Sequence, residues 1–255
     1  MTSAPVLIER RGAVLVMTID RPAQRNAVNR AVSLAIAAAL DTLDADADLR
    51  VGIVTGSGGN FCSGMDLKAF VDGERPELEG RGFAGVAEAP PEKPLIAAVE
   101  GFALAGGCEL ALACDLIVAG EGAVFGLPEA ARGLVAGSGG LIRLRERIPP
   151  AIALEYALTA RRMDAATAHR WGLVNRLVAS GEALAAASAL ADEIAANAPL
   201  SVATSKAIMA AAPDWPVAER WTIQRPMVEA VLASDDAQEG ARAFADKRAP
   251  RWSGR

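Results

Sequence analysis

At 255 residues and 52% apolar content, the chain is long enough for a substantial core, as one large domain or as a domain with an appendage. Much of that content is alanine and aromatics reach only 4%, which favours close-packed helices over an aromatic-rich β-sandwich. A formal net charge of −5 gives no support to a general nucleic-acid or acidic-membrane surface, while leaving room for a local basic patch.

In chain order, β-branched runs at Val6 to Glu9 and Ala13 to Ile19 flank Arg10-Arg11-Gly12, which predicts a hairpin. Asn29 to about Asp44 has helical spacing. Val51 to Thr55 predicts a short buried strand running into the glycine-rich loop Gly56-Ser57-Gly58-Gly59-Asn60. Residues 72–94 carry many Glu, Gly and Pro with little periodicity and read as a mobile insert, because Leu95 to Val99 resumes the strand pattern at once. Gly106 and Gly107 open a helix through Ala113, and strands follow at Leu116 to Ala119 and near Val124-Phe125. This strand–helix alternation predicts an α/β core.

Past Pro149-Pro150 the pattern turns helical, at Ala151 to Thr159, Ala165 to Trp171, Glu182 to Ala196, Leu200 to Ala211 and Val217 to Leu232, with one strand at Val174 to Val178. Such a part covers the core or builds a subunit interface. Trp215, Trp221 and Trp252 fall in it and read as packing residues.

The three cysteines, Cys62, Cys108 and Cys114, form no CxxC pair, and with a single histidine they make no zinc cluster. Scattered apolar cysteines fit a reducing cytoplasm. The N-terminal residues show no signal-peptide pattern, and no stretch approaches the roughly 20 apolar residues of a membrane span. A soluble cytoplasmic protein is expected. The lone His169 lies in a helical pattern without a serine elbow nearby, which argues against a Ser-His-Asp hydrolase.

Two glutamates stand out. Glu109 sits in Ala105-Gly106-Gly107-Cys108-Glu109-Leu110-Ala111, and Glu129 in Phe125-Gly126-Leu127-Pro128-Glu129-Ala130. Their neighbours are small or apolar, so a buried carboxyl at either place costs free energy unless it has a partner or a task. Two carboxyls in unequal environments split the roles of acid and base. Each also has a plainer reading: Glu109 as a complement to a helix dipole, Pro128-Glu129 as an ordinary helix start.

These two frames, with Phe61-Cys62-Ser63-Gly64-Met65-Asp66-Leu67, Arg21-Pro22 with Asn26-Ala27, Ala165 to Leu173 with Val174, and Ala243 to Arg248, resemble the crotonase (enoyl-CoA hydratase/isomerase) family over essentially the whole chain. The resemblance implies an α/β fold built as a spiral of β-β-α units, with two sheets packed nearly perpendicular and a helical C-terminal trimerisation region. It divides the chain into a core at 1–195 carrying the acyl-CoA site and a helical part at 196–255. It also implies a homotrimer or dimer of trimers, with coenzyme A arriving as part of the substrate and no metal or other cofactor.

Carried residue by residue, the family pattern implies that the backbone N–H groups of Met65 and Gly106 hold the thioester oxygen. Glycine at 106 lets a substrate approach the backbone, and the helix it opens adds partial positive charge. Glu109 would take a proton from water attacking Cβ, and Glu129 would protonate Cα. Isomerases of this fold commonly use one carboxylate, so the pair favours hydration of a trans-2-enoyl-CoA. Arg25, Lys68 and Lys247 align with family positions around the coenzyme A phosphates, Lys247 reaching from a neighbouring subunit. Where relatives often place a lysine after Arg-Pro, this chain has Ala23. Gly137-Ser138-Gly139-Gly140 lacks the Lys-Ser/Thr of a phosphate loop and reads as close packing at a helix start near the acyl site.

Phe125 to Ala130, Ile148 to Ile152 and Arg161-Arg162-Met163 are also similar to crotonobetainyl-CoA hydratases, which makes a cationic acyl group the nearest alternative. Enoyl-CoA isomerisation is a further one. From another class, some crotonase-fold proteins bind acyl-CoA or RNA without catalysis. The glutamate pair argues against a pure binder, and the charge of −5 against RNA.

Overall fold

The computed structural model describes residues 4–255. β1 (Val6–Arg11) and β2 (Val14–Ile19) form the expected hairpin, with the turn at Gly12-Ala13 and both arginines inside β1. α1 (Arg30–Ala45) begins at Asn29, whose side chain accepts from the Val32 N–H at 3.1 Å and satisfies one of the open helix donors. β3 (Val51–Gly56) precedes the glycine-rich loop, and α2 (Leu67–Val71) follows the Phe61–Asp66 segment.

Two successive β-β-helix units come next. β4 (Leu95–Val99), β5 (Phe102–Leu104) and α3 (Gly106–Ala113) form the first. β6 (Leu116–Gly120), β7 (Val124–Gly126) and a 3-10 turn at Pro128–Arg132 form the second. α4 (Gly140–Arg147), α5 (Pro150–Thr159), β8 (Met163–Asp164), α6 (Ala165–Arg170) and β9 (Arg176–Val178) follow. The chain then runs through α7 (Ala183–Ala195), α8 (Pro199–Ala211), α9 (Arg220–Leu232) and α10 (Asp235–Ala245).

In each unit the first strand joins one sheet and the second strand another. The larger sheet has the order β1-β2-β3-β4-β6-β9, parallel from β2 onward, and the smaller has the order β5-β7-β8. The central strands β3 and β4 of the larger sheet are buried on both faces, which is why they read as continuous apolar runs, whereas the edge strand β1 is largely exposed. Along β4, Leu95, Ala97 and Val99 face the main core, while Ile96 and Ala98 face a second cluster closed by Ala187 and Ala191 of α7. Alanine at those two positions lets α7 lie close on the sheet. Glu100 holds the start of α7, its Oε1 accepting from the Gly181 and Ala183 N–H groups at 2.9 and 3.0 Å.

Residues 72–94 are not the loose insert expected. Phe83, Ala84, Val86 and Ala87 are buried in the main core, against α1 and α3. The backbone bends through left-handed φ values of +69° at Gly82 and +55° at Ala84, so apolar side chains converge without either period that marks a helix or strand. α10 was not anticipated either, and α9 begins three residues later than its sequence pattern.

Candidate active site

The loop from Phe61 to Asp66 is fixed from both sides. Asn26, fully buried, donates from Nδ2 to the Ser57 and Asn60 carbonyls at 2.8 and 2.6 Å and accepts from the Arg21 N–H at 3.0 Å. Arg21 in turn pairs with Asp66 at 2.8 Å, and Asp66 Oδ1 accepts from the Lys68 and Ala69 N–H groups to start α2. Those contacts, the charge of Arg21 included, hold the Asp66 carboxyl below its ordinary range against the opposing effect of burial. The motif residues Arg21, Asn26 and Asp66 thus build one scaffold.

On that scaffold the loop meets the start of α3. The Leu104 N–H donates to the Cys62 carbonyl at 3.1 Å, and Gly64 packs so closely that a Cβ there would lie 3.1 Å from the Gly106 nitrogen. With φ at +99°, position 64 excludes other residues on conformation as well as space. Neither the Met65 nor the Gly106 N–H has an acceptor among the described residues. Phe83 covers Gly106 from the far side, its ring atoms 2.6 to 3.1 Å from where a Cβ would stand.

Glu109 lies one turn into α3, buried, with Oε1 accepting from the Ser138 N–H at 2.7 Å and the Gly140 N–H at 3.0 Å. Burial pushes its pKa up. The two N–H donors and the nearby Arg143 guanidinium oppose that rise by favouring the carboxylate. The Gly137–Gly140 stretch is therefore more than close packing: it supplies the donors, and Gly140 leaves room for the carboxylate.

Glu129 sits in the turn after β7, with Oε2 buried and unpartnered. Burial raises its pKa first, and the charge of Glu109 raises it further; its own backbone N–H and Arg132 act the other way. An orphan oxygen and a negative neighbour favour the protonated acid. The two carboxyls thus feel each other's charge and are unequal.

Beside Glu129 opens a cavity of about 400 Å³ with aliphatic walls from Leu134, Val135, Leu141, Leu154 and Leu158, and with Arg145 among its lining residues. Sequence reasoning missed this wall because Leu134 and Val135 lie in a loop and α4 and α5 interleave the rest with charged and small residues. Burial pushes all three cysteine thiols up to about 12, leaving them protonated and unreactive at neutral pH. Among the described residues no group of three or more His, Cys, Asp or Glu side chains is placed to hold a metal ion, and no helix is long and apolar enough to cross a membrane.

The basic positions separate. Arg25 lies in the left-handed turn beside the site loop, its carbonyl accepting from the Ser63 N–H at 3.1 Å, and its guanidinium is 5.9 Å from the Phe102 ring centroid. Arg162, not singled out from the sequence, is 5.7 Å from the same ring. Lys68 is exposed on α2, on the same loop system as Arg25. Lys247 is exposed beyond α10, a helix packed chiefly on α9. His169 bonds through Nδ1 to the Val174 carbonyl at 2.9 Å and ties off α6.

Residues 9–255 match the family model for enoyl-CoA hydratase/isomerase. A curated relative, carnitinyl-CoA dehydratase of Salmonella typhi, is 46% identical over 97% of this chain and 98% of its own. The same-named protein of Proteus mirabilis is 45% identical over 96% and 97%. The crystal structure of an enoyl-CoA hydratase from Mycobacterium marinum superposes with a TM-score of 0.98 at 56% identity, covering 99% of this chain and 100% of that one. A carnitinyl-CoA hydratase from Mycobacterium avium gives a TM-score of 0.80 at 46% identity with full coverage of both chains.

Proposed function

The chain belongs to the enoyl-CoA hydratase/isomerase family with the crotonase fold, and from that premise we propose that it reversibly adds water across the trans-2 double bond of an acyl-CoA thioester. The observation that carries this reading is the unequal pair of carboxyls: Glu109 held by two N–H donors, Glu129 with a buried unpartnered oxygen.

In the hydration direction Glu109 takes a proton from water as the water oxygen bonds to Cβ. The π electrons move toward Cα and the thioester carbonyl, whose oxygen takes up negative charge between the Met65 and Gly106 N–H groups. Fixed donors of this kind contribute about 3–4 kcal/mol each. Glu129 then gives its proton to Cα, and the proton held by Glu109 returns to Glu129 through solvent. Dehydration runs the same steps backward. Two carboxyls at the reacting bond support hydration over isomerisation, for which one suffices.

For the acyl group, two observations point to different members of one panel. The names of the curated relatives and of the Mycobacterium avium structure favour carnitinyl-CoA, whose dehydration yields crotonobetainyl-CoA, while the Mycobacterium marinum structure bears the enoyl-CoA hydratase name. The largely aliphatic cavity beside Glu129, which has no aromatic side chain in its lining and carries Arg145, favours an uncharged acyl chain. Arg25, in the turn beside the site loop, and Lys68, on α2, are assigned to the coenzyme A phosphates. Lys247 contributes only within a homotrimer or dimer of trimers, an assembly supported by the exposed Trp221 and Phe244 of the C-terminal helices and readable by light scattering.

The test is hydration of trans-2-enoyl-CoA esters of increasing length, with crotonobetainyl-CoA among them, followed by loss of the conjugated thioester absorbance. Turnover that disappears in Glu129→Gln supports the reading, and the best ester names the acyl class. No turnover with intact binding overturns it in favour of an isomerase or a non-catalytic acyl-CoA binder.

A further inference from the structure

Arg143 belongs to none of the sequence motifs, yet it joins the two halves of the site. From the first turn of α4 its Nη2 donates to the Ala87 carbonyl at 2.6 Å, and its Nη1 makes a long contact of 3.5 Å with the Ser138 carbonyl. Ala87 closes the turn that begins at Phe83, its N–H donating to the Phe83 carbonyl at 3.1 Å. The Phe83 ring is the one that covers Gly106. Ser138 and Gly140 are the residues whose N–H groups hold Glu109.

Gly139 makes room for this arrangement. Its φ is +89°, and a Cβ there would collide with the Arg143 Nη1. The guanidinium therefore occupies the space beside Gly139, whose left-handed φ favours glycine, along the loop that carries the donors. Arg143 from α4 and Glu129 from the turn after β7 are the charged groups set against Glu109.

The geometry points to Arg143 as a positioning residue for the hydratase reaction, a single guanidinium that braces the Phe83–Ala87 turn over the Gly106 donor and the Ser138–Gly140 loop around Glu109. It touches neither substrate nor reacting atoms in this role. Its charge also favours the Glu109 carboxylate, so losing it changes proton transfer as well as shape. The inference rests on the hydratase reading for its kinetic consequence, and on the structure alone for its effect on Glu109.

The experiment compares Arg143→Gln and Arg143→Lys with the wild type in the full-length protein. Glutamine carries no charge and stops short of the guanidinium's reach to the Ala87 carbonyl. Lysine keeps the charge but cannot span two carbonyls with a planar fork. In Arg143→Gln, kcat is expected to fall about 10- to 100-fold with little change in KM, the scale of a misplaced catalytic group. The acidic limb of its pH–rate profile moves to higher pH. In Arg143→Lys the limb stays in place while kcat falls about tenfold.

A second readout needs no turnover: the carboxyl of Glu109 is titrated by NMR in protein carrying carbon-13 glutamate, with Glu109→Gln identifying the resonance. Its midpoint rises in Arg143→Gln and returns in Arg143→Lys. Wild-type kcat, pH limb and midpoint in a folded Arg143→Gln overturn the proposal. If that variant does not fold, wild-type kcat in Arg143→Lys overturns it equally. A wild-type enzyme that hydrates no ester sinks the hydratase reading alone, since the Glu109 titration still decides what Arg143 does.

Discussion

The Gly140 N–H lies 3.0 Å from Oε1 of Glu109, and a Cβ at Gly140 would fall 2.7 Å from Glu109 Cγ. The same residue therefore donates to the carboxylate and makes space for it. Gly140 opens α4, where alanine is conformationally welcome, so Gly140→Ala isolates the steric consequence. The methyl group also meets Leu127 Cδ2 at 3.1 Å, which blocks an easy retreat. We expect kcat to fall about 100-fold through displacement of Glu109, with a cooperative thermal transition retained. Wild-type kcat in this variant would show that the placement of Glu109 is not critical.

Glu109→Gln and Glu129→Gln should each lower kcat by more than about 100-fold while KM changes little, because each removes a proton-transfer group and leaves its volume. Measured on the best ester of the panel, near-normal turnover in either variant removes that residue from the mechanism.

The pH dependence follows from the two environments. Glu109 must be ionised to accept a proton in hydration, and its pKa is raised, chiefly by burial, so activity falls as pH drops through a value above the ordinary carboxylate range. Glu129 must be protonated, and its pKa is raised by burial and by the charge of Glu109, so activity falls again as pH rises through its value. A bell-shaped kcat/KM profile is expected, its two apparent pKa values belonging to the pair. A profile flat across both limbs would contradict this assignment.

How far the sequence disclosed the site depends on how local each signal is. Glu109 and Glu129 were legible because glycine and proline frame them within a few residues. The Arg21, Asn26 and Asp66 scaffold was marked by its motifs, though the motifs did not say that the three side chains hold one loop. Phe83 was not legible: its packing on Gly106 joins distant parts of the chain through a turn with no periodicity. Arg143 was hidden for the same reason, in a helix that carries two further arginines, Arg145 and Arg147, with nothing local to tell them apart. α10 was missed because Asp235, Asp236, Gln238 and Glu239 mask an amphipathic face on which Ala243 is the buried apolar residue.

Phe83 offers a test of the misread segment. Its side chain is only 3% exposed, so Phe83→Ala should lower unfolding free energy by about 3–5 kcal/mol in denaturant titrations. It also uncovers the Gly106 donor, and amide hydrogen exchange at the start of α3 should quicken more than exchange in β4. Were residues 72–94 a loose insert, the substitution would change neither quantity.

The C-terminal tail is clasped by two acids of α10. Glu239 forms a double ion pair with Arg248 at 2.7 and 2.9 Å and accepts from the Arg251 N–H at 2.8 Å. Asp236 accepts from the Ser253 and Gly254 N–H groups at 2.6 and 3.0 Å. The Arg248 hydrogen bonds, followed by the Arg251 N–H, pull the Glu239 carboxyl down to about 2. A lowered pKa means stability that is present above the unfolded value of about 4.3 and lost as pH falls toward the folded one. The thermal midpoint of Glu239→Gln should therefore sit below wild type at neutral pH, and the gap should close as pH falls from about 4.3 toward 2. Because the pair is exposed, salt should narrow the gap as well. Trypsin adds an independent reading: cleavage after Arg248 and Arg251 should quicken in the variant, and equal rates in the two proteins would mean that Glu239 does not hold the tail.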